Sequence, residues 1–181
     1  MYEVEVKVPA DLEAVRERLE ATDADRKRTV VQEDTYYDAP HRSFVETDEA
    51  LRIRRESIPE TGTDESRITY KGPLLDDESK SREEFETAVG DGTTMDAVLT
   101  NLGFEATATV RKERERYGLE EYTITLDAVD DVGEYVEVET DVEREADVES
   151  ARDGAYALLE RLDLDPDEGV RTSYLGLLLE S

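Results

Sequence analysis

Period-two alternation constrains this chain more than any other feature. In residues 2–8, YEVEVKV, Tyr2, Val4, Val6 and Val8 fall on one side and Glu3, Glu5 and Lys7 on the other. Successive side chains of a β-strand point to opposite faces, so the stretch reads as a strand with one apolar face and one fully charged face. The alternation returns in six later segments. Arg52 and Arg54 oppose Leu51 and Ile53. Arg67, Thr69 and Lys71 oppose Ile68 and Tyr70. Arg82, Glu84 and Glu86 lie across from Phe85. Lys112 and Arg114 share a face, and Asp127 lies with Thr123 and Thr125 opposite Ile124 and Leu126. Glu137 and Glu139 oppose Val136 and Val138.

Gathered in one sheet, these strands give a common polar side with seven acids (Glu3, Glu5, Glu84, Glu86, Asp127, Glu137, Glu139) and seven bases (Lys7, Arg52, Arg54, Lys71, Arg82, Lys112, Arg114). The whole chain carries 49 Asp and Glu against 22 Lys and Arg, so this face is enriched in cations. Three of the five lysines lie on it. Any one strand reads adequately as an ordinary wet face; the recurrence of Lys and Arg at period two does not. Burying so many ions costs several kcal/mol each unless they are paired. The face therefore fits the lining of a water-filled barrel whose apolar sides turn outward against helices. Clustered carboxylates bind Mg²⁺ or Mn²⁺ through oxygen, and Arg and Lys clamp phosphate oxygens. The ligand that suits both sets is a polyanion bridged by a divalent metal.

The remaining segments supply the helices. Leu12, Val15 and Leu19 recur at helical spacing behind Pro9. Residues 91–104 read as a helix stopped at Gly103, residues 147–164 as a long helix, and residues 169–180 as a last short one. A hairpin is expected through Gly118, and short strands at 29–40 and 67–72, the latter closed by Gly72-Pro73. About eight strands and four helices with no linker make a single domain over residues 1–181. His41, the only histidine, follows Pro40 in a loop and is given no chemistry; Lys80 sits in an acidic loop, as a mobile lid cation or with no role, and Tyr174 on the last helix reads first as packing and second as a cap on the tunnel.

The net charge of −27 and the scarcity of lysine are expected of a cytoplasmic protein in molar salt, where the Debye length is about 3 Å and self-repulsion is screened. A duplex nucleic-acid partner is disfavoured, since phosphate binding there needs an exposed basic patch. With no Cys, disulfides and thiolate metal sites are excluded. No apolar run reaches transmembrane length and the chain opens directly on a strand, so no membrane association is expected. The outward apolar faces allow a homodimer.

The ordered blocks now identify a resemblance. Glu3, Glu5 and Lys7 stand as the Glu-x-Glu-x-Lys signature of the CYTH superfamily, the triphosphate tunnel metalloenzymes. DTYYDAP, ALRIRR, TYKGP, REEFE, VRKERERY, LDAVDDVGEYVEVE and TSYLGLLL follow in the family's order over nearly all 181 residues. The chain is most similar to the class IV adenylate cyclase-like branch. The resemblance implies an α+β fold: an eight-stranded antiparallel closed β-barrel, or tunnel, with flanking α-helices. It implies that Lys7, Arg52, Arg54, Lys71, Arg82, Lys112 and Arg114 hold a triphosphate, and that Glu3, Glu5, Asp127, Glu137 and Glu139 hold Mg²⁺ or Mn²⁺. Lys71, Arg82, Glu84 and Glu86 stand nearest the chemistry. The implied partner is a nucleoside triphosphate or polyphosphate. Two reactions share the architecture: cyclisation of ATP to cyclic AMP and pyrophosphate, and hydrolysis of a triphosphate such as tripolyphosphate or thiamine triphosphate. A non-catalytic nucleotide or polyphosphate sensor is a third reading.

Overall fold

A computed structural model describes residues 1–180. Eight antiparallel strands close into a barrel in the order β1-β5-β4-β3-β2-β6-β7-β8. They are β1 (Tyr2–Pro9), β2 (Asp25–Asp38), β3 (Ala50–Ile58), β4 (Thr63–Leu74), β5 (Arg82–Val89), β6 (Glu105–Leu119), β7 (Tyr122–Val129) and β8 (Gly133–Val142). Five helices flank it: α1 (Leu12–Glu20), α2 (Phe44–Thr47), α3 (Gly92–Asn101), α4 (Val148–Arg161) and α5 (Tyr174–Glu180). The expected closed tunnel with flanking helices is the observed fold. The strand count holds, and α2, a single turn, is the helix that periodicity did not reveal.

The apolar sides of the strands do face outward. Val6 and Val8 of β1, Ile124 and Leu126 of β7, and Val136 and Val138 of β8 are buried beneath Leu12, Val15 and Leu19 of α1 and Leu158 and Leu159 of α4. Burying side chains of this size contributes about 1.5–3 kcal/mol each. A second cluster packs Leu99 of α3 and Phe44 of α2 on Leu51 and Ile53 of β3. A third seats Tyr174 of α5 against Val110 and Val129. Register then fixes the interior: a slip of one residue would exchange every core side chain for a charged one.

Several boundaries differ from the sequence reading: β2 begins at Asp25 rather than at residue 29, and the last helix begins at Tyr174 rather than at residue 169. Gly118 lies within β6, paired with Asp25 and Thr123, and the hairpin turns at residues 120–121, with Glu120 at φ 56°. β4 starts at Thr63, because the turn-rich residues 63–66 pair with β3. It also runs through Gly72-Pro73, where the β4–β5 register shifts between Lys71 and Leu74. Proline lacks the N–H that a regular ladder needs, and a shifted register accommodates it.

Candidate active site in the tunnel

Inside the barrel is a cavity of about 790 Å³. Its lining includes Arg52, Arg54, Lys71, Lys80, Arg82, Lys112, Arg114 and Arg116, with Glu3, Glu5, Glu84, Glu86, Glu137 and Glu139. The cations fall into groups set by the acids that orient them. Asp34 of β2 is fully buried and anchors one group. Arg54 meets it through two bonds, Nε to Oδ1 at 2.7 Å and an η nitrogen to Oδ2 at 2.8 Å, and Lys112 Nζ donates at 3.0 Å. Arg52 stands 3.9 Å away, and its buried Nε has no hydrogen-bond partner. Asp127 anchors the next group: Arg114 donates twice at 2.6 Å and reaches Glu137 at 3.2 Å, while the Tyr174 hydroxyl donates to Asp127 at 2.7 Å. Bidentate pairs of this kind fix a guanidinium in place as well as in charge.

Tyr174 of α5 lines the tunnel and lies against two of its lysines. Lys7 Nζ lies 4.1 Å and Lys112 Nζ 5.4 Å from its ring centre, and Lys7 donates to the Thr172 carbonyl at 2.6 Å. Burial, and for Lys7 the Lys80 charge next, brings both lysines down to about 7 against the pull of neighbouring carboxylates. Arg116 bonds Glu56 at 3.2 and 2.9 Å, and Gln32 donates to the same carboxylate at 2.7 Å. Arg82 lies at the rim, bound to the carbonyls of Asp48 and Gly72 at 2.8 and 2.7 Å.

The acids gather between these groups. Glu5 and Glu139 are directly opposite across β1 and β8, and Glu3 is two residues along on the same face. One carboxylate oxygen from each lies within 4.8 Å of the others. Lys71 Nζ is 2.5 Å from Glu3, 4.0 Å from Glu5 and 3.6 Å from Glu84; Lys80 Nζ is 2.9 Å from Glu5. Burial works against the Glu5 carboxylate, but Lys80, Lys71 and Lys7 hold it well below the usual range. Burial and the Glu3 charge push Glu139 up to about 8 and Glu84 to about 7. Three convergent oxygen donors with negative charge in excess suit a hard divalent cation such as Mg²⁺ or Mn²⁺. Asp127 and Glu137, grouped with them from sequence, are instead engaged by Arg114.

The cavity lining thus brings together six of the seven bases named from the sequence, along with Glu3, Glu5, Glu84, Glu86, Glu137 and Glu139; Lys7 and Asp127 are buried behind it, each against Tyr174. Asp34, Lys80 and the Arg116–Glu56 pair were not among the residues named. The signal for Asp34 was present but weak: Gln32, Asp34 and Tyr36 alternate in β2 without a single cation. Lys80 stands in a loop and has no periodicity to give it away. His41 is exposed beside Arg42, outside the cavity lining.

The CYTH domain profile matches residues 1–174, and the chain belongs to the CYTH family. A Methanocaldococcus jannaschii protein named as a candidate adenylate cyclase is 35% identical over 178 residues, covering 98% of each chain. A solved structure from Pyrococcus horikoshii OT3 is 38% identical, covers 98% of each chain and superposes with a TM-score of 0.91. A Hippeastrum structure, whose description gives a dominant triphosphatase activity, shares the fold at 16% identity and TM-score 0.68, covering 99% of this chain and 95% of its own. No helix among the described residues is long and apolar enough to cross a membrane.

Proposed function

We propose that this chain is a divalent-cation-dependent enzyme that converts a nucleoside triphosphate, ATP foremost, into a cyclic monophosphate and pyrophosphate. The observation that carries the reading is the two-part wall of the tunnel. Eight Lys and Arg side chains surround three convergent carboxylates, and apolar side chains border one mouth. Tyr36, Phe44, Val45, Leu175 and Leu179 form that border, with Val45 and Leu179 left 88% and 66% exposed. Inorganic tripolyphosphate has nothing to place against such a wall, whereas a nucleoside does. The name of the Methanocaldococcus jannaschii relative agrees with this choice.

In this mechanism Arg52, Arg54, Lys112 and Arg114 bind the phosphate oxygens, with Lys7 behind them. Asp34 and Asp127 fix the guanidinium planes, so little reorganisation is needed as charge develops. Glu3, Glu5 and Glu139 would hold the divalent cation, and Asp127 and Glu137 would join them only by releasing Arg114. The cation would neutralise phosphoryl oxygens as a Lewis acid. The ribose 3′-oxygen attacks the α-phosphorus in line, and the bond from that phosphorus to the β-bridging oxygen breaks. Glu84, raised to about 7 by burial and Glu3, takes the hydroxyl proton, while Glu86 keeps its place beside it through Thr69 at 2.7 Å. Lys71 and Arg82 offset the charge on departing pyrophosphate.

The test is a product assay with ATP and Mg²⁺ or Mn²⁺ in molar KCl. Cyclic AMP and pyrophosphate in equal amounts are expected. Glu84 would serve equally to activate a water at the γ-phosphorus, which is the route to a triphosphatase. Phosphate without cyclic AMP, from ATP or tripolyphosphate, would replace the cyclase reading with a triphosphatase. Tight binding without turnover would make the tunnel a sensor.

A further inference from the structure

Among the described residues, Lys80 is the one cation of the tunnel that no strand delivers. It comes from the loop 75–81 between β4 and β5. The loop is built to carry it. Asp76 folds it by accepting from the backbone N–H groups of Glu78 and Ser79 at 2.8 and 2.7 Å, and Leu75 donates to the Ser81 carbonyl at 2.9 Å. The Ser79 and Ser81 side chains are buried and bonded to one another at 2.6 Å. Two elements from elsewhere clasp it. Arg171 donates to the carbonyls of Asp76 and Ser79 at 2.6 and 3.3 Å, and the Tyr156 hydroxyl of α4 donates to the Glu78 carbonyl at 2.9 Å. At the inner end Lys80 meets Glu5 twice, through its backbone N–H to the Glu5 carbonyl and through Nζ to the carboxylate, each at 2.9 Å.

Glu5 belongs to the carboxylate trio, and the Lys80 ammonium lies 2.9 Å from one of its oxygens, so a divalent cation bound by that carboxylate would come close to it. Two cations at one carboxylate repel strongly at such separations, so they compete. We propose that Lys80 is a built-in stand-in for the metal, screening Glu5 of the trio when it is empty, as Lys71 screens Glu3, and yielding its place on Glu5 when a divalent cation arrives. The inference rests on the reading of Glu3, Glu5 and Glu139 as metal ligands. Its consequence is that loading the metal requires the 75–81 loop to give way. Holding the loop by Arg171 and Tyr156 therefore weakens the affinity for metal alone.

The experiment is a titration of the protein with Mn²⁺ alone, followed by electron paramagnetic resonance of the free ion in molar KCl. Lys80→Met is expected to bind Mn²⁺ about tenfold more tightly than wild type, and Lys80→Arg to bind it as wild type does. Tyr156→Phe, which loosens the clasp with no change of charge, should tighten binding by roughly two- to fivefold. Glu139→Gln should abolish the site. If Glu139→Gln abolishes binding while Lys80→Met and Tyr156→Phe leave the affinity unchanged, the metal site stands and the stand-in role falls. If Glu139→Gln has no effect, or wild type binds no Mn²⁺, the metal reading falls and takes the stand-in with it. Should Lys80→Met fail to fold, Tyr156→Phe alone decides: unchanged affinity overturns the proposal.

Discussion

Arg52 and Arg54 stand two residues apart on one face of β3 and look equivalent in the sequence, yet they answer to different neighbours. Arg54 is locked to the buried Asp34, and its loss would leave that carboxylate with Lys112 alone at hydrogen-bond distance. Arg54→Met should therefore cost about 3–5 kcal/mol of stability in urea unfolding at fixed KCl. Arg52 has a buried Nε with no partner and holds no acid in place at hydrogen-bond distance. Arg52→Met should unfold near wild type but lose about 1.5–3 kcal/mol of tripolyphosphate affinity by calorimetry, some 10–150-fold. Equal destabilisation by the two variants would mean that Arg52 is structural. Lys112 adds a pH signature. It faces Asp34, Arg54, Arg114, Asp127 and Tyr174, and burial lowers it from 10.5 to about 7. A lysine depressed by folding adds stability above its unfolded value, and that contribution fades as pH falls through the folded one. On this account the ligand-free protein should lose stability from about pH 10.5 down toward pH 7, and Lys112→Met should make that slope shallower, the remainder belonging to Lys7. A triphosphate would restore the charge, so binding at pH 8 should take up a proton, seen as a dependence of the apparent enthalpy on buffer ionisation. Strand periodicity placed all three residues on the charged face. It could not separate Arg52 from Arg54, because the difference lies in Asp34, across the strand pair on β2.

At the scale of elements, α4 shows what the sequence pattern hides. Gly154 sits inside this helix, where glycine costs about 1 kcal/mol relative to alanine. A Cβ there would meet the Tyr122 hydroxyl at 2.0 Å, and that hydroxyl donates to the Ala151 carbonyl at 2.8 Å. The glycine lets α4 lie close against the start of β7, carrying Leu158 and Leu159 onto the outer face of the barrel. Gly154→Ala should thus destabilise by about 1–3 kcal/mol despite its gain in helix propensity, and Tyr122→Phe should recover part of the loss in the double variant. A net gain in stability for Gly154→Ala would show that α4 can shift outward freely. Elements of strong period were legible: seven strands announced themselves by alternation, α1 and α4 by their apolar stripes, and α3 by its glycine stop. What escaped notice was aperiodic or short. The loop 75–81 is specified by Arg171 and Tyr156, nearly 80 or more residues away in sequence. For Tyr174 the sequence puts packing ahead of capping the tunnel, because nothing local says that its ring will meet Lys7 and Lys112.

For the whole molecule, charge is sorted between inside and outside. The cavity lining holds eight of the 22 Lys and Arg but only ten of the 49 Asp and Glu, so nearly all of the acid excess belongs to the outer surface. Of the five lysines, only Lys27 lies away from the tunnel, half exposed beside Asp25. These two charge populations respond to salt in opposite ways. The outer carboxylates repel one another over a Debye length of about 30 Å at 0.01 M salt, and over about 3 Å at 1 M. Repulsion of that range favours the expanded chain, so the melting temperature should climb steeply from 0.05 to 1 M KCl and then level off. The tunnel cations, in contrast, attract a triphosphate most strongly in low salt, and added ions weaken that attraction, though less than for exposed charges because the walls are buried. Affinity for tripolyphosphate should therefore decline gently over the range in which stability rises. Turnover of ATP, which needs both a folded barrel and a held substrate, should then pass through a maximum in KCl. Circular dichroism melts and initial rates taken on the same KCl series would check this. A melting temperature that stays flat while the rate falls steadily would show that the surface acid carries no folding penalty at low salt, and that the lysine-poor exterior needs another explanation.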